Sequence, residues 1–359
     1  MADRISILFI GGGVAAHLYS LVAAHRYGAK QLAVTMVDPI EDAPDRNLCV
    51  WGPPEPLLQD ALIVEWSRVQ FGYGRSTITK ELHTLTYRHY SAKSIRKVVD
   101  TRMQVNRILA HHSTVDRQVD VALDSRPSTV FHRDATLSLQ QHFHGWRIQT
   151  DADTFDPDVM TMMDFRVDQS NGVCFIYVLP YSRTDALVEC TVFSSEPWQK
   201  DMYESRLSAY ISDNLSCSTY EILSTETGSI PMCDAIPDRK RGEHWFSIGS
   251  AAGLTKATTG YTVARCIRDA EHLFDTQQRT GVWSIPQRPS RRFDWYDRLL
   301  LRIIRDEPER VPGIFWALFN RNPIELILRF LDEETSLFDE IRVFWSLPWS
   351  PFLRAIFRR

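Results

Sequence analysis

The amino-acid sequence predicts a mixed α/β fold. An apolar strand runs into three glycines and a helical pattern at the N-terminus, two β-rich segments follow near the middle, and the C-terminal part combines helical spacing with many aromatic residues. At 359 residues the chain exceeds what one hydrophobic core usually supports. We predict a discontinuous Rossmann-type domain at 1–110 and 240–285, an inserted antiparallel-sheet domain at 111–239, and a helical, aromatic-rich region at 286–359.

The N-terminal segment has the pattern of a βαβ unit. Residues 5–10 (ISILFI) are a nearly continuous apolar run, which is typical of a parallel strand buried on both faces. Apolar residues then repeat at helical spacing over 14–27, and Gly28 ends the helix. A second buried strand covers 32–37.

The glycines of this unit predict a dinucleotide site. Gly11, Gly12, Gly13 and Ala16 lie between a strand and a helix, where missing side chains allow the backbone to approach a pyrophosphate at the positive helix end. Asp38 follows the second strand and can accept hydrogen bonds from a ribose. A glycine turn that only starts the helix is the structural alternative.

The next segments predict further elements along the chain. The five prolines between 39 and 74 predict loops around a partly ordered segment. The later patterns predict a helix over 94–108, a strand over 142–148, a hairpin of 174–180 and 184–193, a helix over 198–216, a strand over 244–248 and a helix over 263–274.

A second glycine-rich turn follows the strand at 244–248. It contains Gly249, Ala252 and Gly253 and precedes a helix. One dinucleotide needs only one such turn, whereas a flavin extends its ribityl chain and ring system toward a distant part of the same domain. The two turns together favour FAD over NAD. A packing turn of small residues is the alternative.

Glu189 is the first candidate for acid chemistry. Strand alternation places it on one face with Leu187, Thr191 and Phe193, and places Cys190 on the other. If that face lines a dry pocket, desolvation raises the pKa of the carboxyl group and keeps a proton on it. A strand glutamate that points to water is the alternative.

Other polar residues are weaker candidates. Asp164 and Glu226 either line a cleft or pair with arginines and cap turns. The pairs at 111–112 and at His142 and His144 lack a matching Cys/His/Asp cluster, so we predict surface histidines and no metal site. The six cysteines lack CxxC spacing and a preceding secretory leader, which predicts small core residues in a reducing cytosol.

The net charge and the C-terminal region limit the classes of binding partner that the sequence allows. The net charge of −4 gives no long-range attraction for nucleic acid, and no apolar stretch reaches the roughly 18 residues of a spanning helix. The C-terminal aromatic residues either pack as core helices or form an interfacial segment beside arginines. The residues in question are Trp345, Trp349, Phe352, Phe357, Arg354, Arg358 and Arg359.

Several of these segments resemble one family. The N-terminal glycine turn, MDFR (163–166), FIYVLPYSRTDALVECTVFS (175–194), ETGSIPM (226–232) and IGSAAGLTKATTGYT (248–262) occur in the order typical of the flavin-dependent lycopene cyclases. The bacterial lycopene β-cyclases are the most similar, and the resemblance covers nearly the whole chain.

The resemblance assigns the catalytic acid. The family's acidic motif, typically Phe-Leu-Glu-Glu-Thr, corresponds to 187–191, where Glu189 matches the first glutamate and Cys190 replaces the second. The similar sequence FLDEET at 330–335 lies in a helical context far from the hairpin, and we reject it as the active site. Gly249-Ser250 replaces the Gly-Asp of related flavoproteins, so no carboxylate contact to the ribityl chain is expected there.

The resemblance also implies the reaction. A lycopene β-cyclase converts the ψ-end groups of lycopene or γ-carotene to β-ionone rings without net oxidation, with reduced FAD as cofactor and NAD(P)H as its reductant. It implies a cytoplasmic protein at the inner face of the membrane, in which Glu189 governs proton transfer directly or through the flavin. A flavin-dependent monooxygenase or reductase acting on an isoprenoid lipid, or a non-enzymatic carotenoid- or flavin-binding protein, are the alternatives.

Overall fold

Runs of strands are separated by single helices, and helices alone form the C-terminal part, in the computed structural model, which describes residues 4–40, 44–110, 118–126, 136–286 and 291–357. The strands in these ranges are β1 (Ile5–Ile10), β2 (Leu32–Asp38), β3 (Asn47–Gly52), β4 (Val64–Trp66), β5 (Arg68–Tyr73), β6 (Ser76–Glu81), β7 (Thr86–Ser91), β8 (Val105–Leu109), β9 (Val121–Asp124), β10 (Ser138–Thr150), β11 (Val159–Asp164), β12 (Val173–Pro180), β13 (Asp185–Ser194), β14 (Tyr220–Cys233), β15 (Lys240–Gly242) and β16 (Trp245–Ser247). The helices are α1 (Val14–Tyr27), α2 (Ala92–Arg102), α3 (Lys200–Asn214), α4 (Val263–Thr280), α5 (Arg291–Asp306), α6 (Val311–Arg321), α7 (Ile324–Leu331), α8 (Leu337–Trp345) and α9 (Trp349–Phe357).

A six-stranded sheet carries the N-terminal glycine turn. Its order is β15-β16-β9-β1-β2-β8, and its neighbours are parallel except for β15 and β16. Ile7 and Phe9 of β1 are buried with Leu21 of α1 and Phe274 of α4, because a central parallel strand is covered by helices. The fold class predicted from the N-terminal βαβ pattern is therefore confirmed.

A seven-stranded sheet lies beside it in the order β14-β10-β13-β12-β11-β5-β6. It is antiparallel except for the parallel pair β5 and β11. One face packs on the C-terminal helices, where the rings of Phe71 and Phe319 stack with centroids 3.9 Å apart. The other face packs on α3 through Val188 and Leu207. A three-stranded antiparallel sheet, β3-β7-β4, completes the architecture.

The structure corrects several predicted elements. Residues 39–74 contain β3, β4 and β5, because all five prolines lie outside these strands. The predicted helix over 94–108 ends at Arg102, and its last residues belong to β8. The hairpin is confirmed as β12 and β13, and α5 lies within the region 286–359 that the sequence predicts to be helical.

The two larger sheets exchange strands across the predicted domain division. Strand β9 lies within 111–239 but joins the six-stranded sheet, whereas β5 and β6 lie within 1–110 and join the seven-stranded sheet. The chain therefore passes between the sheets more often than the division assumes. The division itself stays a prediction.

Candidate active site

The first glycine turn leaves the start of α1 free of side chains. Gly11 has a φ of +95°, a region that favours glycine, and the amide of Gly12 donates to Oδ2 of Asp38. Gly13 precedes α1, and a Cβ built on it would meet nothing within 4 Å. The first turn of α1 has neither an acidic residue nor a side-chain cap, so its amide groups can hold an anion.

The second glycine turn contacts the first. Gly249 has a φ of +61°, and a Cβ built on it would lie 2.8 Å from the Cβ of Ala15 in α1. Ala252 is buried beside it, and Gly253 has a left-handed backbone whose amide donates to the carbonyl of Ser250 at 3.0 Å. The structure therefore brings the two predicted glycine turns together at the N-terminus of α1.

Glu189 lies on the inner face of β13, as alternation predicts. It is partly buried and shares this face with Leu187 and Phe193, which belong to the core formed with the C-terminal helices. Cys190 lies on the opposite face against α3. The hydroxyl of Thr191 donates to Oε1 of Glu189 at 2.9 Å.

A second carboxyl group meets Glu189 across a glycine. Gly145 of β10 lies opposite Glu189 of β13 on one side and opposite Glu226 of β14 on the other. This register places both carboxyl-bearing side chains on one face of the sheet, one on each side of Gly145. Burial and the neighbouring Glu226 raise the pKa of Glu189 well above its usual range, so Glu189 can keep a proton.

A series of hydrogen-bonded side chains leads from the three-stranded sheet to Glu226. The amide of Asn47 donates to Oε2 of Glu226 at 2.7 Å, and Oδ1 of Asn47 lies 2.8 Å from Nε2 of His89. Because the Asn47 oxygen only accepts, His89 must donate from Nε2. Burial lowers the pKa of His89 to about 4, so the ring is neutral at pH 7.

One aromatic residue pairs with Glu189, and three others form a cluster whose rings contact one another. Tyr177 of β12 lies opposite Glu189, and burial raises its pKa. The hydroxyl groups of Tyr87 and Tyr261 lie 2.5 Å apart, and the rings of Trp51 and Tyr261 have centroids 4.0 Å apart. These aromatic faces offer negative electrostatic potential to a nearby cation.

The sequence at 330–335 joins the C-terminal helices to the second glycine loop. Asp332 accepts from the indole of Trp51 at 2.8 Å, and burial raises its pKa to about 6. Glu333 pairs with Lys256 at 3.0 Å and with Arg265 at 2.8 Å. These cations outweigh the effect of burial and lower the pKa of Glu333 to about 2. Trp51, Lys256, Tyr261 and Asp332 line a small cleft between α7 and this loop.

The remaining candidates have structural partners. Asp164 is fully buried and pairs with Arg166 at 2.6 Å and with the hydroxyl of Tyr210 at 2.8 Å. The prediction of surface histidines is wrong for His142 and His144, which are buried and lie 2.7 Å from the hydroxyls of Ser194 and Thr227. The 111–112 pair lies outside the described residues.

Neither a membrane-spanning helix nor a metal cluster occurs in the described part of the chain. None of its helices combines the length and apolar character that crossing a membrane requires. Within the same ranges, no three His, Cys, Asp or Glu side chains are grouped so that they could hold a metal ion.

Sequence reasoning missed Asn47, His89, Tyr177 and Gly145. A single sequence does not show which strands are neighbours, so the approach of Asn47 to Glu226 over 179 positions has no local signal. Gly145 is detectable only as a glycine inside an alternating strand, which indicates a close approach of neighbouring groups.

Comparisons with known proteins give fold and family. A solved flavoprotein/dehydrogenase from Cytophaga hutchinsonii matches with a TM-score of 0.57 at 13% identity over 96% of this chain and 99% of that one. A geranylgeranyl bacteriochlorophyll reductase-like protein from Thermoplasma acidophilum matches with a TM-score of 0.56 at 12% identity over 99% and 98%. At these identities the likeness concerns the fold alone.

Sequence relatives cover part of the chain. A lycopene beta-cyclase from Pseudescherichia vulneris is 27% identical over 55% of this chain and 53% of its own length, and a chloroplastic neoxanthin synthase from Solanum tuberosum is 27% identical over 34% and 26%. The chain thus spans about a quarter to a half of these relatives. The family model described as "Lycopene cyclase protein" matches residues 6–357, and the chain therefore belongs to the lycopene cyclase family.

Proposed function

We propose that this protein is a lycopene β-cyclase, an isomerase that closes the ψ-end groups of lycopene or γ-carotene into β-ionone rings. Membership of the lycopene cyclase family supports the substrate class. The observation that supports the reaction type is the setting of Glu189, which lies opposite Tyr177 and whose pKa is raised by burial and by the neighbouring Glu226. Acid-initiated cyclisation of an alkene needs such a group.

FAD is the cofactor that the two glycine turns fit. The open backbone at Gly13 and the uncapped start of α1 suit a pyrophosphate, and the absence of a side chain at Gly249 keeps the second turn against α1. Asp38 fixes the first turn through Gly12 and accepts the amide of Ile40 at 2.8 Å, leaving carboxylate lone pairs for a ribose. Gly11, Ala16, Ala252 and Gly253 complete the proposed cofactor-binding set. When bound and reduced by NAD(P)H, FAD supplies an electron-rich surface that stabilises positive charge.

The chain's own residues supply the acid and the apolar surroundings. Glu189 donates a proton to the terminal double bond, the neighbouring alkene closes the ring, and a ring proton leaves. Leu187 and Phe193 on the same face exclude water, which would otherwise quench the cation. Tyr177 presents an aromatic ring opposite the acid.

A peripheral position at the cytoplasmic face of the membrane belongs to the same proposal, because carotenes dissolve in bilayers. Helices α8 and α9 expose large apolar side chains, among them Phe338, Trp345 and Phe357, which suits an interfacial segment. Trp349 is also exposed, whereas Phe352 is partly buried and Arg354 pairs with Glu307 at 2.8 Å. Arg358 and Arg359 lie outside the described residues.

Expression in a lycopene-accumulating bacterium tests the proposal. We expect β-carotene, or γ-carotene if one end closes, and no cyclic product from Glu189→Gln at equal protein and flavin content. The purified enzyme should work anaerobically after one reduction of its flavin, without stoichiometric NADPH consumption. Oxygenated or hydrogenated products formed with one NADPH each would instead show a monooxygenase or reductase.

A further inference from the structure

The backbone register places two carboxyl-bearing strands on either side of one glycine. Gly145 is the residue of β10 that pairs with both Glu189 and Glu226, so no side chain stands between them. A Cβ built on Gly145 would lie 3.4 Å from the Cβ and Cγ of Glu189 and 3.1 Å from Cδ1 of Leu187. Any larger residue at 145 would therefore crowd Leu187 and the stem of Glu189.

We propose that Glu189 and Glu226 share one proton across Gly145, and that Glu226, held by Asn47, is the positioning residue that keeps this proton on Glu189. The proposal rests on the proposed function for its chemical use but not for its geometry. Two carboxylates on either side of one glycine repel each other when both are ionised, so a pair of this kind holds one proton over a wide pH range.

The hydrogen bonds decide which member is charged. Asn47 directs its NH₂ group to Glu226 at 2.7 Å, because His89 Nε2 donates to its oxygen and thereby fixes the orientation of the amide. An amide donor stabilises a carboxylate more than a carboxylic acid. Among the described residues, Glu189 receives a side-chain hydrogen bond from the Thr191 hydroxyl alone, and that hydroxyl can also accept. The negative charge therefore rests on Glu226 and the proton on Glu189.

His89 suits this fixed role. Its Nδ1 is buried and has no hydrogen-bond partner among the described residues, so a second proton on the ring would be unsatisfied. Tyr177 from β12 and Cys49 from β3 also face the carboxyl pair. Burial raises the pKa of both groups, which keeps them neutral when the pair titrates.

A shared proton allows the pair to act first as an acid and then as a base within one catalytic cycle. The O–H bond of Glu189 breaks as a C–H bond forms at the terminal alkene, and the π electrons of the neighbouring alkene form the new ring C–C bond. Both carboxyl groups are then anionic beside the carbocation. Their mutual repulsion favours recovery of a proton from the ring C–H, whose electron pair becomes the ring double bond. Protons and electrons balance, and no oxidant is needed.

The pH dependence of cyclisation tests the pair, with the reduced holoenzyme and detergent-dispersed lycopene. In Glu226→Gln the neighbouring charge is gone and an amide can donate to ionised Glu189, so the basic limb of the rate profile should move down by about 1 pH unit or more. In Asn47→Ala the Glu226 anion loses its donor, so the same limb should move up. Glu221→Gln, an exposed change on the same strand, should leave the profile where it is. Opposite shifts support the pair, and an unmoved limb in both variants overturns it.

An infrared readout separates this proposal from the proposed function. The wild type minus Glu189→Gln difference spectrum at pH 7 should contain a protonated carboxyl band, which should weaken in Glu226→Gln. Gly145→Ala should weaken it without removing a charge, provided that it folds. If no cyclic carotene forms but the band weakens in these variants, the proposed function is wrong and the carboxyl pair stands. If cyclisation requires Glu189 but the band does not change in Glu226→Gln, the proposed carboxyl pair is wrong and the proposed function stands.

Discussion

Gly249 approaches Ala15 so closely that a Cβ on the glycine would lie 2.8 Å from the alanine Cβ. We expect Gly249→Ala to lower the free energy of unfolding by about 2–4 kcal/mol, because overpacking adds to the strain of a positive φ. The variant should also retain less flavin than the wild type after gel filtration. Thermal denaturation and the ratio of flavin to protein absorbance measure the two effects.

Gly281→Ala is the matched control for this variant. Gly281 also has a positive φ, +74°, but a Cβ there meets nothing within 4 Å. We expect a cost of about 1 kcal/mol from strain alone and full flavin content. Equal destabilisation by both substitutions would show that the contact with Ala15 contributes nothing.

The raised pKa of Glu189 predicts that the acid destabilises the protein at high pH. Below the ordinary pKa of a glutamate, both folded and unfolded states are protonated and the group has no effect on stability. As the pH rises above that value, the unfolded chain loses its proton first, which favours unfolding until the folded state also ionises. Glu189→Gln should therefore be more stable than the wild type at pH 8.

Urea denaturation across pH 4 to 8 measures this difference. It should be near zero at pH 4 and should grow with pH, while the cyclase activity of the variant should fall at least about 100-fold. A stability difference that is constant with pH would mean that Glu189 ionises normally in the folded protein.

The features predicted from the sequence are those with a local signal. The glycine turns and the alternation at Glu189 follow from short-range pattern, because strand and helix periods fix which residues share a face. The carboxyl pair does not, since Glu226 reaches Glu189 through a register that depends on β10 lying between β13 and β14. Burial of His142 and His144 was missed because α3 covers that face of the sheet only in the folded chain.

Lys256 predicts a strong dependence of folding on one buried cation. It is 4% exposed and pairs with Asp297 at 2.8 Å and Glu333 at 3.0 Å, linking the second glycine loop to α5 and the end of α7. Lys256→Met leaves two carboxylates short of a partner, so we expect a loss of about 3–5 kcal/mol. Arg268→Met, which breaks the exposed pair with Glu334, should cost less than about 1 kcal/mol. Guanidinium denaturation compares the two, and similar losses would contradict the structural role of Lys256.

The exposed apolar side chains of α8 and α9 predict binding to lipid surfaces. Phe338, Trp345 and Phe357 are 86%, 70% and 80% exposed, and folding gains nothing from such exposure. Each large apolar side chain transferred from water contributes about 1.5–3 kcal/mol, so replacing all three by serine should weaken binding to phospholipid vesicles by more than about 100-fold. Ile222→Ser with Leu223→Ser removes exposed apolar side chains, 42% and 47% exposed, from another part of the molecule and should leave vesicle binding unchanged. Sedimentation with vesicles measures the binding of both variants, and thermal denaturation confirms that they fold. Equally weak binding by both variants would indicate general surface hydrophobicity and not a membrane-binding surface at α8 and α9.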